Sequence, residues 1–210
     1  MTDARSRHQK LFGSGDSTER IEFFSDAVFA IAMTLLVLDI KVPDVKATEL
    51  WPALVELLPE YFAYALSFVT IALNWMSHHR KFRVITGFTT GLLRLNLLLL
   101  LLVAFVPFPT ALLSEYTETP SVILYAATLG AIGLVQTAIW AYAHRKGLLA
   151  STVDDGVYRY ARADGFVNPA VFLASIVVAA LGAHTLAMFT WILMWPASII
   201  VSRLFSRRKR

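Results

Sequence analysis

Hydrophobic residues in this chain do not alternate with polar ones. They gather in long runs separated by short charged segments, near 21–40, 53–76, 92–113, 121–143, 166–183 and 186–204. Each run is about the ~18–20 residues that a helix needs to cross the hydrocarbon core of a bilayer. The pattern predicts an all-α integral membrane protein with six transmembrane helices over 20–205. A tail over 1–19 precedes them and a basic tail over 206–210 follows. The punctuation agrees: Asp39-Ile-Lys-Val-Pro43 ends the first run, Trp51-Pro52 opens the second, and Gly182-Ala-His-Thr185 makes a hairpin between the last two. Pro59 is placed to kink the second span, and Pro107 and Pro109 interrupt the third near its outer end.

Composition strengthens this reading. The chain is 57% hydrophobic and 16% charged, against roughly 45–50% and about 25% in soluble domains. The segment 1–17 is polar, without the apolar stretch of a signal peptide. The absence of cysteine removes disulfides, thiolate metal sites and thiol nucleophiles. The net charge of +4 has a topological meaning, because all 19 lysines and arginines except Lys41 and Lys46 fall on one side of the six spans. By the positive-inside rule that side is cytoplasmic, so both termini are expected there, in a multi-pass plasma or inner membrane protein. The basic cluster Arg207-Arg-Lys-Arg210 reads as a topology anchor, and no nucleic-acid partner is expected.

The first span carries the chemistry. It opens Arg20-Ile-Glu-Phe-Phe24-Ser25-Asp26, and a carboxylate inside lipid is a candidate functional group. At about 100° per residue, Ile31, Leu35 and Leu38 share one stripe, bordered by Thr34, and Asp26 lies roughly 140° from Ile31. Two readings stay open. The stripe is packing or lipid-facing surface, or it lines a narrow hydrophobic pore that gates by dewetting, with Asp26 turned back into the bundle. In the second case Asp26 needs donors from neighbouring helices. Trp75, His78 and His79 at the end of the second span, and Arg94 and Asn96 at the start of the third, lie at its depth. Asp39, about 80° from Ile31, is the candidate for the outer mouth, with Glu115 and Glu118 more distant contributors. Within the chain the pattern occurs once, so a function needing several copies of the first helix would draw them from separate subunits.

Two other classes fit the sequence less well. A proton-coupled secondary transporter would use Asp26 as a relay, but no inverted repeat or matched pair of broken helices is visible. An enzyme is not expected: His78 and His79 project about 100° apart, and Asp154-Asp155, read as part of a cytoplasmic loop with Tyr158, Arg159 and Arg162, has no phosphate-cradling glycine motif.

The stretch Arg20-x-x-x-Phe24-Ser25-Asp26, followed by Val-Phe-Ala-Ile-Ala-Met-Thr-Leu-Leu-Val-Leu-Asp-Ile, resembles the prokaryotic, single-repeat relatives of the endolysosomal potassium channel. Trp75, His78-His79, and Asn96 through Pro107-Phe-Pro-Thr110 are similar as well; the likeness is close over three spans and loose over the rest. The resemblance implies a homotetramer of six-helix subunits whose first helices surround a central pore. It implies pore layers at Ile31, Leu35 and Leu38, a selectivity role for Thr34, and a network of Arg20, Phe24, Ser25, Asp26, Trp75, His78 and Asn96 bracing the pore helix. The function implied is a potassium-permeable cation channel with moderate preference for potassium over sodium. Its partners are lipid and monovalent cations, with no cofactor and no metal site beyond the permeating potassium. No Thr-Val-Gly-Tyr-Gly-like loop occurs, so a stacked-carbonyl filter is not expected.

Overall fold

The computed structural model describes residues 14–15 and 17–207; most of the expected N-terminal tail and residues 208–210 of the basic tail lie outside the described residues. Among the described residues, nine α-helices follow a short strand β1 (Ser14–Gly15): α1 (Glu19–Leu35), α2 (Leu50–Glu56), α3 (Leu58–Phe82), then strand β2 (Phe88–Thr89), α4 (Thr90–Phe105), α5 (Pro107–Glu115), α6 (Thr119–Arg145), α7 (Asp155–Ala180), α8 (His184–Thr190) and α9 (Met194–Arg207). Short 3-10 turns extend α1 through Leu36–Asp39 and join α8 to α9 through Trp191–Leu193.

Among the described residues, five segments are long and apolar enough to cross a bilayer. A sixth crossing results if α2 and α3, bent by 49° at their junction, count as one span. The bend has a local cause. Pro59 occupies the first turn of α3, where its missing N–H costs nothing, and the helix starts afresh there instead of continuing α2. Pro107 likewise separates α4 from α5, yet Thr90–Glu115 still reads as one span.

Two boundaries differ from the hydropathy reading. Helix α3 runs on through His78, His79, Arg80 and Lys81 to Phe82. Helix α7 begins at Asp155, so Tyr158, Arg159 and Arg162 sit on its first turns and not in a loop. Asp154 is the N-cap, its Oδ1 accepting the Val157 N–H at 2.7 Å. Hydropathy missed this turn because a polar helix end and a polar loop have the same composition.

The core lies between α1, α3, α4 and α6, with Phe29, Leu92, Leu99, Val103, Val122 and Ile139 fully enclosed. The most extensive helix pairing joins α6 to α7. Gly133 permits it: a Cβ there would stand 2.7 Å from Pro169 Cδ, so any side chain would force the helices apart. At the end of the bundle that bears the basic residues, three segments are stitched together. Ser14 pairs with Thr89 and Gly15 with Phe88 in an antiparallel register. Ile85 bridges to Leu149, Thr86 N–H donates to Leu148 O at 2.9 Å, and Ala150 N–H donates to Val84 O at 2.8 Å. Thr18, immediately before α1, donates its hydroxyl to Glu22 Oε1 at 2.6 Å and lies 3.3 Å from Ile85 O.

Candidate functional site

Helix α1 has two unlike faces. Ser25, Phe29, Ala32 and Leu36 are fully enclosed by the rest of the subunit. On the other side Ile31 is 57% exposed, Leu35 41% and Leu38 72%, and Phe24, Ala27 and Thr34 are exposed beside them. The Thr34 hydroxyl donates to Ile31 O at 2.9 Å, which leaves its lone pairs directed away from the helix. A continuous apolar stripe with one hydroxyl row therefore has no partner among the described residues of the subunit.

The enclosed face is held by two polar contacts side by side. Trp75 Nε1–H of α3 donates to Asp26 Oδ1 at 2.8 Å. One residue back, Asn96 Nδ2–H of α4 donates to Ser25 Oγ at 3.0 Å, and Asn96 Oδ1 lies 2.9 Å from His78 Nε2. The Ser25 hydroxyl donates to Ile21 O at 2.7 Å. The direction of this chain follows from its end. A carbonyl only accepts, so Ser25 donates to Ile21, accepts from Asn96, and leaves Asn96 Oδ1 to accept the His78 Nε2–H. His78 Nδ1 is then a bare lone pair, consistent with its burial without a partner. Its ring stacks on Phe82 at 4.2 Å and lies 5.6 Å from Phe29. The two histidines are thereby distinguished: His78 is 2% exposed and hydrogen-bonded, whereas His79 stacks on Trp75 at 5.6 Å.

Of the sequence-predicted residues, Ser25, Asp26, Trp75, His78 and Asn96 are brought together on three helices. Arg20 and Phe24 are exposed in the subunit and stand apart from that set; among the described residues Arg20 makes no side-chain bond to Asp26. Arg94 is exposed as well. Asp39 ends the 3-10 turn after α1, half-buried, with Oδ2 enclosed and without a partner.

Sequence reasoning missed two further polar clusters. Ser67 Oγ of α3 lies 2.8 Å from Thr110 Oγ1 and 3.0 Å from Tyr125 OH, joining α3, α5 and α6. Gln136, a lone amide in the middle of apolar α6, donates to Asn74 O and Oδ1 at 3.0 and 3.1 Å and accepts from Lys81 Nζ at 3.3 Å. The signal was an amide inside a membrane span, which is expensive unless paired.

The fold and site define a polytopic helical membrane protein whose first helix is braced from behind and open in front. The sequence pattern of the family described as "Endosomal/lysosomal potassium channel TMEM175" matches residues 20–107, from the opening arginine of α1 to the proline that starts α5. A protein of Chamaesiphon minutus named a potassium channel is 47% identical over 133 residues, which cover 60% of this chain and 66% of that one. One of Streptomyces collinus, also named a potassium channel, is 43% identical over 136 residues, again 66% of its length. The Gallus gallus relative, named an endosomal/lysosomal proton channel, is 38% identical over 138 residues but is covered for only 28% of its length. The crystal structure of a lysosomal potassium-selective channel TMEM175 homolog from Chamaesiphon minutus superposes with a TM-score of 0.72 at 35% identity, over 88% of this chain and 97% of that one. This chain belongs to the TMEM175 family, a family of ion channels.

Proposed function

We propose that the chain is one subunit of a potassium-permeable cation channel, a homotetramer in which four copies of α1 surround the pore. One observation carries the reading. The face of α1 that holds Ile31, Thr34, Leu35 and Leu38 is unpartnered in the subunit, while its opposite face is enclosed and pinned by α3 and α4. In a bilayer an apolar stripe alone would suit lipid, but a stripe on a helix so firmly fixed from behind suits a shared axis. Ile31, Leu35 and Leu38 then form apolar layers that conduct only when wetted, and the Thr34 hydroxyls supply the polar row between them. Selectivity for potassium arises because an apolar constriction discriminates against the ion that holds its water more tightly, so preference over sodium is moderate. Asp39, at the far end of α1, is placed to concentrate cations at the outer mouth.

Asp26 acts as a brace in this scheme and not as a proton relay, since its oxygen is engaged by the Trp75 indole. Both termini face the cytoplasm of a plasma or inner membrane, because the basic residues share their end of the bundle.

The test is a reversal potential in planar bilayers containing the purified protein, first with a potassium gradient, then with potassium opposed to sodium. A potential that follows potassium and is shifted moderately by sodium supports the channel. Silence in bilayers, with proton-dependent uptake into vesicles, would overturn it in favour of a carrier.

A further inference from the structure

Away from α1, a cavity of about 360 Å³ opens between α3, α6, α7 and α9 near the basic end of the bundle. That volume is far beyond the ~30 Å³ of a water molecule and within the ~300–1,000 Å³ of ligand sites. Its charged lining is unequal: Arg80 and Lys81 supply two cations, and Asp164 supplies one carboxylate. Lys81 has three N–H donors, of which Gln136 Oε1 takes one at 3.3 Å. Asp164 accepts from the Ser198 hydroxyl through Oδ1. One turn further along α7, Asn168 Oδ1 is enclosed with no partner, an acceptor awaiting a donor. Gly165, between them, lets α7 approach Thr137 closely: a Cβ there would stand 3.1 Å from Thr137 Oγ1 and touch Lys81 Nζ at 3.9 Å.

Two walls of the cavity continue to the outside of the subunit as apolar surface. Leu73 on α3 and Ile199 on α9 line it and are both largely exposed. The cavity is therefore amphipathic: cations and acceptors inside, and a greasy exit at its edge.

We propose that this cavity binds the headgroup of a phospholipid of the leaflet at the basic end. The phosphodiester sits on Arg80 and Lys81. A donor on the headgroup, the ammonium of ethanolamine or a hydroxyl of glycerol, reaches Asp164 and Asn168 Oδ1. The acyl chains leave past Leu73 and Ile199. This arrangement uses the excess of positive charge and the orphaned acceptor together, whereas a bare anion would satisfy only the first.

The assembled protein, delipidated in detergent, is titrated with short-chain phosphatidylethanolamine, phosphatidylglycerol, phosphatidylcholine and inorganic phosphate, with binding followed by native mass spectrometry. Ethanolamine and glycerol lipids are expected to bind at least fivefold more tightly than the choline lipid, whose headgroup has no N–H or O–H donor. Arg80→Gln with Lys81→Gln is expected to weaken both by tenfold or more. Arg80 is exposed, so Arg80→Gln alone tests the cation if the double variant does not fold, and a loss of threefold or more is expected. Asn168→Leu should remove the discrimination against choline. Inorganic phosphate binding as tightly as the lipids would make this a soluble-anion site and overturn the lipid. Variants that bind like the parent would overturn the site itself. The readout needs no ion current, so its failure leaves the channel reading untouched.

Discussion

Two polar clusters within the same bundle end up with opposite characters. Behind α1, the chain from His78 through Asn96 and Ser25 to the Ile21 carbonyl is closed, running donor to acceptor with Phe29 and Phe82 against the histidine. Around Lys81, Gln136 and Asp164 the groups leave a cavity, an enclosed acceptor and spare donors. Both contain intramembrane amides, so residue type does not separate them. Completeness does. A chain that ends on a backbone carbonyl has one low-energy arrangement and fixes a helix; a set with unused valence can take another molecule.

Substitutions that exchange these characters test the contrast. The largest effect is expected for Asn96→Leu, which strands the Ser25 oxygen and the His78 N–H together. A stability loss of about 3 kcal/mol follows from two buried groups left unpaired, read as a lower unfolding temperature and poor recovery of the oligomer. Asp26→Ala removes one charge-assisted acceptor from Trp75 in a half-buried position. It should cost about 1–2 kcal/mol and lower the oligomer yield on size exclusion; an unchanged yield would release Asp26 from the bracing role. Leu35→Ala lies on the unpartnered face, where a truncation changes subunit stability by no more than about 0.5 kcal/mol. Single-channel conductance should rise severalfold, and conductance equal to the parent would remove Leu35 from the pore. Arg80→Gln, at the open cluster, should leave unfolding unchanged within about 0.5 kcal/mol. A large loss there would make the cavity a structural element.

What the sequence revealed followed the same division. Membrane runs are legible because bilayer thickness fixes their length, and a helical wheel alone turned Asp26 away from Ile31. Trp75, His78 and Asn96 fall at the depth of Asp26 in consecutive spans, so counting residues from the ends of the runs nominated them alongside His79 and Arg94, and the family resemblance narrowed the set and added Ser25. Arg20 came into the set through the family resemblance, and it is exposed in the subunit. The Lys81 cluster draws on α3, α6, α7 and α9, whose relative placement no local pattern encodes. The first turns of α7 were hidden because charged residues there serve an exposed helix end as well as they would serve a loop.

The stitching at the basic end bears on the order in which the molecule is made. Ser14 and Gly15 find their partners at Thr89 and Phe88, and the Val84–Thr86 segment finds its own at Leu148–Ala150. A ribosome delivers the first of these pairs only after the second span has been completed, and the second only after the fourth. Until the second and third spans follow, α1 resides in the bilayer with its polar back uncovered, since Trp75 and Asn96 come later in the chain. The first helix is thus synthesised ahead of its partners and secured once the third span has followed, and a nascent chain arrested before Trp75 would carry the Asp26 carboxylate into lipid with no indole to engage it.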